Sequence, residues 1–165
     1  MLSECTMASP VGELTLVASE RGLRAVLWAE ERAGRVPLPE RRSDPAHGIL
    51  AQAVRQLTDY FDGQRRAFDL PLDPVGTDFQ KSVWTALNAI PYGETRSYAA
   101  LATAIGRPGA SRAVGAANGR NPLSIVTPCH RVIGANGTLT GFAGGLAVKQ
   151  WLLAHERGEP ALALA

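Results

Sequence analysis

Residues 97–118 read SYAALATAIGRPGASRAVGAAN and predict a pair of helices. The first helix begins near Ser97 and ends at Gly106, and Pro108 follows where a helix can no longer continue. The second covers residues 110–118, after a short turn that contains glycine. A helix, a short turn and a second helix form the outline of a helix-turn-helix, a motif that binds DNA. This stretch therefore predicts a local fold.

The second helix of this pair carries mostly small side chains, and only Arg112, Val114 and Asn118 have longer ones. Gly115 in its middle costs about 1 kcal/mol relative to alanine, so something must approach this backbone closely. Two interpretations stay open at this point. Either the helix packs tightly against another helix, or its smooth face lies against nucleic acid and Arg112 projects from it.

The segments upstream predict a division of the chain into two domains. Thr77 and Gln80 have the spacing of a capping box, which predicts a helix that runs to about Ala89. The prolines and glycine of DLPLDPVG, residues 69–76, are typical of a linker. We therefore predict an N-terminal domain at 1–72, a linker at 73–77 and a C-terminal domain at 78–165.

The N-terminal half predicts a hairpin followed by a helix. Alternation over residues 14–19, a turn at Gly22 and a second apolar run over 23–29 indicate two strands. Residues 30–43 are rich in Arg, Glu, Pro and Gly and predict an exposed loop. Asp44 and Pro45 are suited to the N-cap and first position of a helix that ends at Gly63. Its predicted apolar face consists of Ile49, Ala53, Leu57 and Phe61.

Composition places the chain among cytoplasmic globular proteins. Of its 165 residues, 45% are hydrophobic and 19% charged, and no stretch is apolar enough to span a membrane. The N-terminus lacks the pattern of a secretion signal, and two cysteines do not suggest a disulfide scaffold. The net charge of +2 divides into −2 for residues 1–76 and +4 for residues 77–165. A basic C-terminal half is compatible with a polyanion, although many proteins share this feature.

The candidate chemistry lies in TPCHRVIG, residues 127–134, which follow a strand-like segment at residues 124–126. A lone cysteine is most often a small buried hydrophobe. An adjacent histidine favours the alternative, because a nearby base supplies the reactive thiolate, if necessary through a bridging water. His130 then needs an acceptor that orients it. Glu156 is a candidate, but spacing alone does not select it.

The segment from Ile90 to Glu156 resembles the O6-alkylguanine–DNA alkyltransferases, which repair DNA. The matching pieces are IPYGETRSYAALA, SRAVGAANGRNPLSIVTPCHRVIG and GFAGGLAVKQWLLAHE, in the order and spacing of that family. FQKSVW upstream also fits. The resemblance implies an α/β fold, with a small ribonuclease-H-like α/β N-terminal domain and a mainly helical C-terminal domain that holds a winged helix-turn-helix.

The resemblance also implies roles for individual residues. Cys129 looks like the nucleophile that accepts the alkyl group, His130 like the base that acts through water, and Glu156 like the carboxylate that orients His130. Asn121 is similar to the family asparagine that pins the turn beside the nucleophile. Tyr98 matches the tyrosine that helps to rotate the nucleotide out of the helix and contacts the purine.

The same resemblance implies how the protein meets double-stranded DNA with alkylated bases. The small-residue helix would dock in the minor groove through Ser111 and Gly115, and Arg112 would fill the gap left by the extruded base. The implied alkyl pocket is formed by Val132, Phe142, Ala143, Gly144 and Lys149. Phe142 and Ala143 depart from the Tyr and Ser of many members, which leaves the preferred alkyl size and the rate open.

The implied activity is a single-turnover transfer of alkyl groups from O6-alkylguanine, and also from O4-alkylthymine, to the protein's own cysteine. No cofactor is implied, and we predict no metal, because the N-terminal half offers only Cys5 and His47 as soft ligands. We expect a monomer in solution and leave cooperative assembly on DNA open. The alternatives are a winged-helix DNA-binding protein without alkyl transfer, a Cys-His hydrolase, and a relative that binds alkylated DNA without repairing it.

Overall fold

The computed structural model describes residues 1–159, so that residues 160–165 of the predicted C-terminal domain lie outside the described residues. The elements in chain order are β1 (Leu2–Met7), β2 (Leu14–Ala18), β3 (Leu23–Trp28), β4 (Arg41–Ser43), α1 (Gly48–Phe61), α2 (Asp78–Asn88), β5 (Arg96–Ser97), α3 (Tyr98–Ala104), α4 (Ser111–Gly119), a 3-10 turn (Cys129–Arg131), β6 (Val132–Ile133) and α5 (Leu146–Glu156). None of the helices within residues 1–159 is long and apolar enough to cross a membrane.

The N-terminal lobe is a four-stranded sheet in the order β3-β2-β1-β4, with α1 packed against it. The predicted hairpin of β2 and β3 is confirmed. Strands β1 and β4 were not predicted, because β1 mixes polar and apolar residues and β4 is short and basic. The prediction of an exposed loop over residues 30–43 is wrong in part, since β4 lies within it and Arg35 is only 4% exposed.

Helix α1 begins later than the sequence predicts. His47 is its N-cap, and His47 Nδ1 accepts a hydrogen bond from the Ile49 amide at 3.3 Å. The predicted cap at Asp44 is wrong because Asp44 extends the pairing of β4 with β1, and its amide donates to the Glu4 carbonyl at 2.9 Å. The buried face is also rotated from the predicted one and consists of Leu50, Ala53, Gln56, Leu57 and Tyr60.

The helices of the C-terminal lobe agree with the prediction. The capping box of Thr77 and Gln80 opens α2. Ser97 is the N-cap of α3, and its hydroxyl oxygen accepts a hydrogen bond from the Ala100 amide at 3.0 Å. Gly106 has a φ of +75°, a left-handed conformation that glycine adopts without strain, so the chain turns there towards α4. Beside this pair, the short strands β5 and β6 form a parallel ladder.

The predicted strand at residues 124–126 is wrong. This segment is a tight turn in which Ile125, fully buried, has a φ of +73°. The turn is closed by a hydrogen bond from the Thr127 amide to the Leu123 carbonyl at 2.8 Å. The following residues, Cys129–Arg131, form a turn of 3-10 helix and not an extended strand.

One apolar cluster joins the two lobes. Leu123 and Ile125 of the turn, and Trp151 and Leu152 of α5, pack in the same apolar cluster as the sheet and α1. The Val26 amide of β3 also donates to the Pro122 carbonyl at 2.8 Å. The segment that carries Cys129 is therefore held between the lobes.

Candidate active site

Cys129 lies on the 3-10 turn and is only 4% exposed. Burial raises the pKa of its thiol, while the Asn121 side chain and the positive charges of Arg35 and Lys149 act in the opposite direction. The net direction is upward, so the sulfur of the free protein is a protonated thiol. It becomes a nucleophile only when a base removes that proton.

His130 is fully buried, and its Nε2 lies 2.7 Å from Glu156 Oε2. A carboxylate only accepts hydrogen bonds, so Nε2 carries the proton and Nδ1 is the free lone pair of a neutral ring. Nδ1 is buried and makes no hydrogen bond to residues 1–159. Burial lowers the pKa of His130, although Glu156 opposes this. The ring is therefore neutral at pH 7 and able to accept a proton.

The Glu156 carboxylate is the common acceptor of the buried hydrogen-bond network. Its carboxylate accepts from Arg131 Nε at 2.7 Å and from Arg131 Nη2 at 3.0 Å. Tyr60 adds a hydroxyl donor and Gly93 a backbone amide. Burial alone would raise the pKa of Glu156, but the hydrogen bonds and charges of His130 and Arg131 outweigh it and hold that pKa well below its usual range. The carboxylate is therefore ionised and orients His130.

Asn121 supports the turn that leads to the nucleophile. Its Nδ2 donates to the Thr127 carbonyl at 2.8 Å, and its Oδ1 accepts from the Leu123 amide at 3.0 Å. Arg35 holds the same residue from the N-terminal lobe, because Arg35 Nη1 donates to the Asn121 carbonyl at 2.9 Å. The position of the turn thus depends on both lobes.

Two of the residues predicted for the alkyl pocket lie in the interior of the protein. Val132 and Lys149 are fully buried, and Lys149 Nζ donates to the Val132 carbonyl at 2.6 Å. Burial lowers the pKa of Lys149, whereas Cys129 raises it. This pair fixes the strand after the 3-10 turn and places a cation near the sulfur.

The other predicted pocket residues lie on the loop before α5. Phe142 and Ala143 line a cleft of about 370 Å³, whose remaining walls are Arg32, Arg35, Gly119 and Gly141. Phe142 also packs against the apolar cluster that contains Cys129. Gly144 lies against Trp28, and a Cβ at position 144 would come within 2.8 Å of that ring. The N-terminal lobe therefore braces this loop through Trp28.

Helix α4 divides into a buried and an open face. Val114, Ala117 and Asn118 are buried against the lobe, whereas Arg112 is exposed and Ser111 and Gly115 are half-buried. The exposed face otherwise consists of small residues, Ala113, Ala116 and Gly119. A smooth convex surface with one long cation is therefore available to a partner.

Tyr98, at the start of α3, joins α4 to the loop before α5. Its ring lies close to Gly115, where an added Cβ atom would come within 3.7 Å of it. The Tyr98 hydroxyl forms a hydrogen bond with the Thr140 hydroxyl. Tyr98 and Phe142 both pack against the cluster that contains Cys129. The structure thus groups Tyr98 with the nucleophile, while Arg112 stands apart on the open face.

Three residues that hydrogen-bond to the predicted site residues were absent from the predicted set. Arg131 lies in TPCHRVIG, directly after His130, and a cation beside the candidate base could have indicated a role in the site. Tyr60 occupies an interior helical position, three residues after Leu57, but the predicted face ended at Phe61. Arg35 lies in a charged loop, and nothing in the sequence distinguished it from its exposed neighbours.

No group of three or more His, Cys, Asp or Glu within the described chain is arranged to hold a metal ion.

Comparison with known proteins accounts for both lobes. A family model described as "6-O-methylguanine DNA methyltransferase, DNA binding domain" matches residues 78–158. A second, "6-O-methylguanine DNA methyltransferase, ribonuclease-like domain", matches residues 3–74. The chain belongs to the 6-O-methylguanine DNA methyltransferase family. The predicted fold class, a ribonuclease-like α/β lobe with a helical DNA-binding lobe, is thereby confirmed.

Similar members of the family come from archaea and bacteria. The methylated-DNA–protein-cysteine methyltransferase of Methanosarcina acetivorans is 50% identical over 148 residues, which cover 90% of this chain and 94% of that protein. The protein of the same name from Mycolicibacterium paratuberculosis is 50% identical over 162 residues, covering 95% and 93%. A crystal structure of Mycobacterium tuberculosis OGT in complex with DNA has a TM-score of 0.87 at 49% identity, and the match covers 96% of each chain.

Proposed function

We propose that the chain is a direct-reversal DNA repair enzyme, a methylated-DNA–[protein]-cysteine S-methyltransferase that acts once. It transfers the alkyl group of O6-alkylguanine, and of O4-alkylthymine, to Cys129. The observation that carries this proposal is the buried Cys129 next to a neutral His130 whose Nε2 lies 2.7 Å from the ionised Glu156. The name shared by relatives that are about half identical to the chain supports the same reaction.

The proposed step balances without a cofactor. His130 Nδ1 accepts the thiol proton of Cys129 through a water molecule, and Glu156 stabilises the resulting imidazolium. Sγ then donates an electron pair to the alkyl carbon as the bond from that carbon to O6 breaks. The electron pair of the broken bond stays on O6, and the guanine takes up one proton in place of the one that the thiol gave to His130, so that thiol and alkylated guanine become thioether and guanine. Because water does not hydrolyse the thioether formed, one molecule repairs one lesion.

The proposed partner is double-stranded DNA with an alkylated base. An alkyl group inside a duplex is out of reach of a buried thiol, so the nucleotide must rotate out of the stack, which costs a few kcal/mol. The exposed Ala113 and Ala116 let α4 approach the minor groove closely, and Arg112 occupies the space of the extruded base. The structure of Mycobacterium tuberculosis OGT in complex with DNA supports DNA as the partner.

We also propose that the protein works as a monomer in the cytoplasm. Both cysteines are free thiols, as expected in a reducing compartment, and the reaction uses residues of one chain only.

The proposed function is tested by intact mass spectrometry after incubation with duplex DNA that contains one O6-methylguanine. We expect each chain to gain the mass of one methylene group, and proteolysis to place it on the peptide with Cys129. Excess substrate should not increase the gain beyond one. Repeated turnover would indicate a hydrolase, and DNA binding without any adduct would indicate a winged-helix protein or an inactive relative; either result would contradict the proposal.

A second prediction concerns extrusion of the base. Arg112→Ala should slow transfer from duplex substrate about tenfold or more, because the gap in the stack is left unfilled. Transfer from free O6-methylguanine base should change little, because no base needs to leave a stack. Single-turnover rates on both substrates measure this difference. Arg107→Ala, which removes another exposed cation from the turn before α4, is the matched control and should affect both substrates equally. Equal losses for Arg112→Ala on both substrates would exclude the proposed role.

A further inference from the structure

The carboxylate of Glu156 accepts four hydrogen bonds in addition to the one from His130. Oε2 accepts from His130 Nε2 at 2.7 Å, from the Tyr60 hydroxyl at 2.7 Å and from Arg131 Nη2 at 3.0 Å. Oε1 accepts from Arg131 Nε at 2.7 Å and from the Gly93 amide at 3.3 Å. Tyr60 is the one donor of this set that comes from the N-terminal lobe, and it shares an oxygen with His130.

Tyr60 is held rigidly in this position. Its side chain is fully buried on α1, and its ring centroid lies 5.6 Å from that of Phe68 and 5.2 Å from that of His155. The Tyr60 carbonyl accepts a hydrogen bond from His155 Nε2 at 2.7 Å, so α1 and α5 are joined at two points one residue apart on α5. A buried hydroxyl fixed in this manner constrains the carboxylate that it binds.

We propose that Tyr60 is a positioning residue of the transfer reaction, through which the N-terminal lobe sets the orientation and basicity of His130. This inference rests on the proposed function for its catalytic meaning, and it assigns a task to a lobe that holds neither the nucleophile nor its base. Tyr60 does not touch the reacting atoms. It acts by occupying part of the acceptor capacity of Glu156 Oε2.

The physical consequence concerns the charge that His130 experiences. Glu156 and Lys149 of α5 and Arg131 of its own segment are the charged groups that act on His130. Tyr60 reaches it only through the hydrogen bond to Glu156, and Tyr92 lies near Glu156 without such a bond. The Tyr60 hydroxyl donates to Oε2 and so withdraws part of its negative charge. Removing that donor leaves a more negative oxygen against Nε2–H, and the imidazolium becomes easier to form. His130 would then be protonated, and unable to act as a base, at a higher pH.

The test compares Tyr60→Phe with the wild type over pH 5 to 9. We expect the lower limb of the single-turnover rate profile to move up by roughly 0.5 to 1 pH unit, so that transfer falls severalfold on the acid limb of the wild-type profile and much less at pH 8. Tyr92→Phe is the matched control, because its hydroxyl makes no hydrogen bond to residues 1–159, and its profile should match the wild type. Circular dichroism and thermal unfolding verify that both variants fold.

An NMR titration of the His130 ring in the free protein provides a readout that does not depend on transfer. The pKa of His130 should rise in Tyr60→Phe and stay unchanged in Tyr92→Phe. A uniform loss of rate at every pH, or an unchanged His130 titration, would overturn the inference and leave Tyr60 a structural residue. If the wild type transfers no alkyl group, the proposed function fails, while the titration still decides whether Tyr60 sets the basicity of His130.

Discussion

Cys129→Ser abolishes alkyl transfer and leaves DNA binding unchanged: this is the largest effect that we expect. Serine fills nearly the same buried volume, but its hydroxyl ionises far less readily than a thiol and its oxygen is a much weaker nucleophile towards an alkyl carbon. We expect the single-turnover rate to fall by about a thousandfold or more. The open face of α4 is untouched, so the dissociation constant for duplex DNA, measured by fluorescence anisotropy, should stay within about twofold of the wild type.

Cys5→Ser is the matched control for this substitution. Cys5 is also a buried free thiol, and burial together with Glu4 raises its pKa. It lies on β1, and within residues 1–159 its thiol makes no hydrogen bond to His130 or Glu156. Its replacement should leave the methyl gain intact. If the methyl gain survives in Cys129→Ser and disappears in Cys5→Ser, the acceptor is Cys5 and our proposal names the wrong thiol.

The sequence was most informative where local chemistry determines local structure. The capping box at Thr77, the cap at Ser97 and the stop at Gly106 each depend on residues within one helical turn, and the structure confirms them. In contrast, Asp44 is a good cap by local rules, but pairing with a strand forty residues earlier determines its conformation.

The candidate site shows the same limit. The nearness of Glu156 to His130 could be suggested but not selected from spacing, since 26 residues and a change of direction separate them. Tyr60 and Arg35 reach the site from the other lobe, so no local pattern marks them. The turn at Ile125 has the composition of a strand because its apolar side chains are buried. Its left-handed backbone is imposed by hydrogen bonds that Asn121 makes on both sides.

Glu156→Gln should both destabilise the protein and slow transfer. The buried Arg131 guanidinium would lose its charged partner, and the amide group of glutamine would place a donor where Tyr60, His130 and Arg131 already donate. Breaking one side of a buried ion pair costs about 3–5 kcal/mol of the free energy of unfolding, which urea unfolding at pH 7 measures. Loss of the oriented, charge-stabilised imidazole should lower the transfer rate about 10²- to 10⁴-fold.

The pH dependence of stability separates this effect from a general loss of packing. The pKa of Glu156 is lower in the folded protein than its ordinary value of 4.5, so the ionised carboxylate stabilises the fold fully above that value and loses this contribution as the pH falls below it. Glu156→Gln removes the titrating group, so its stability should decline less steeply between pH 5 and pH 3 than that of the wild type. Glu159→Gln, three residues further along and exposed beside Arg157, is the control and should change neither stability nor rate. A Glu156→Gln protein with the acid sensitivity and transfer rate of the wild type would show that the carboxylate neither anchors Arg131 nor directs His130.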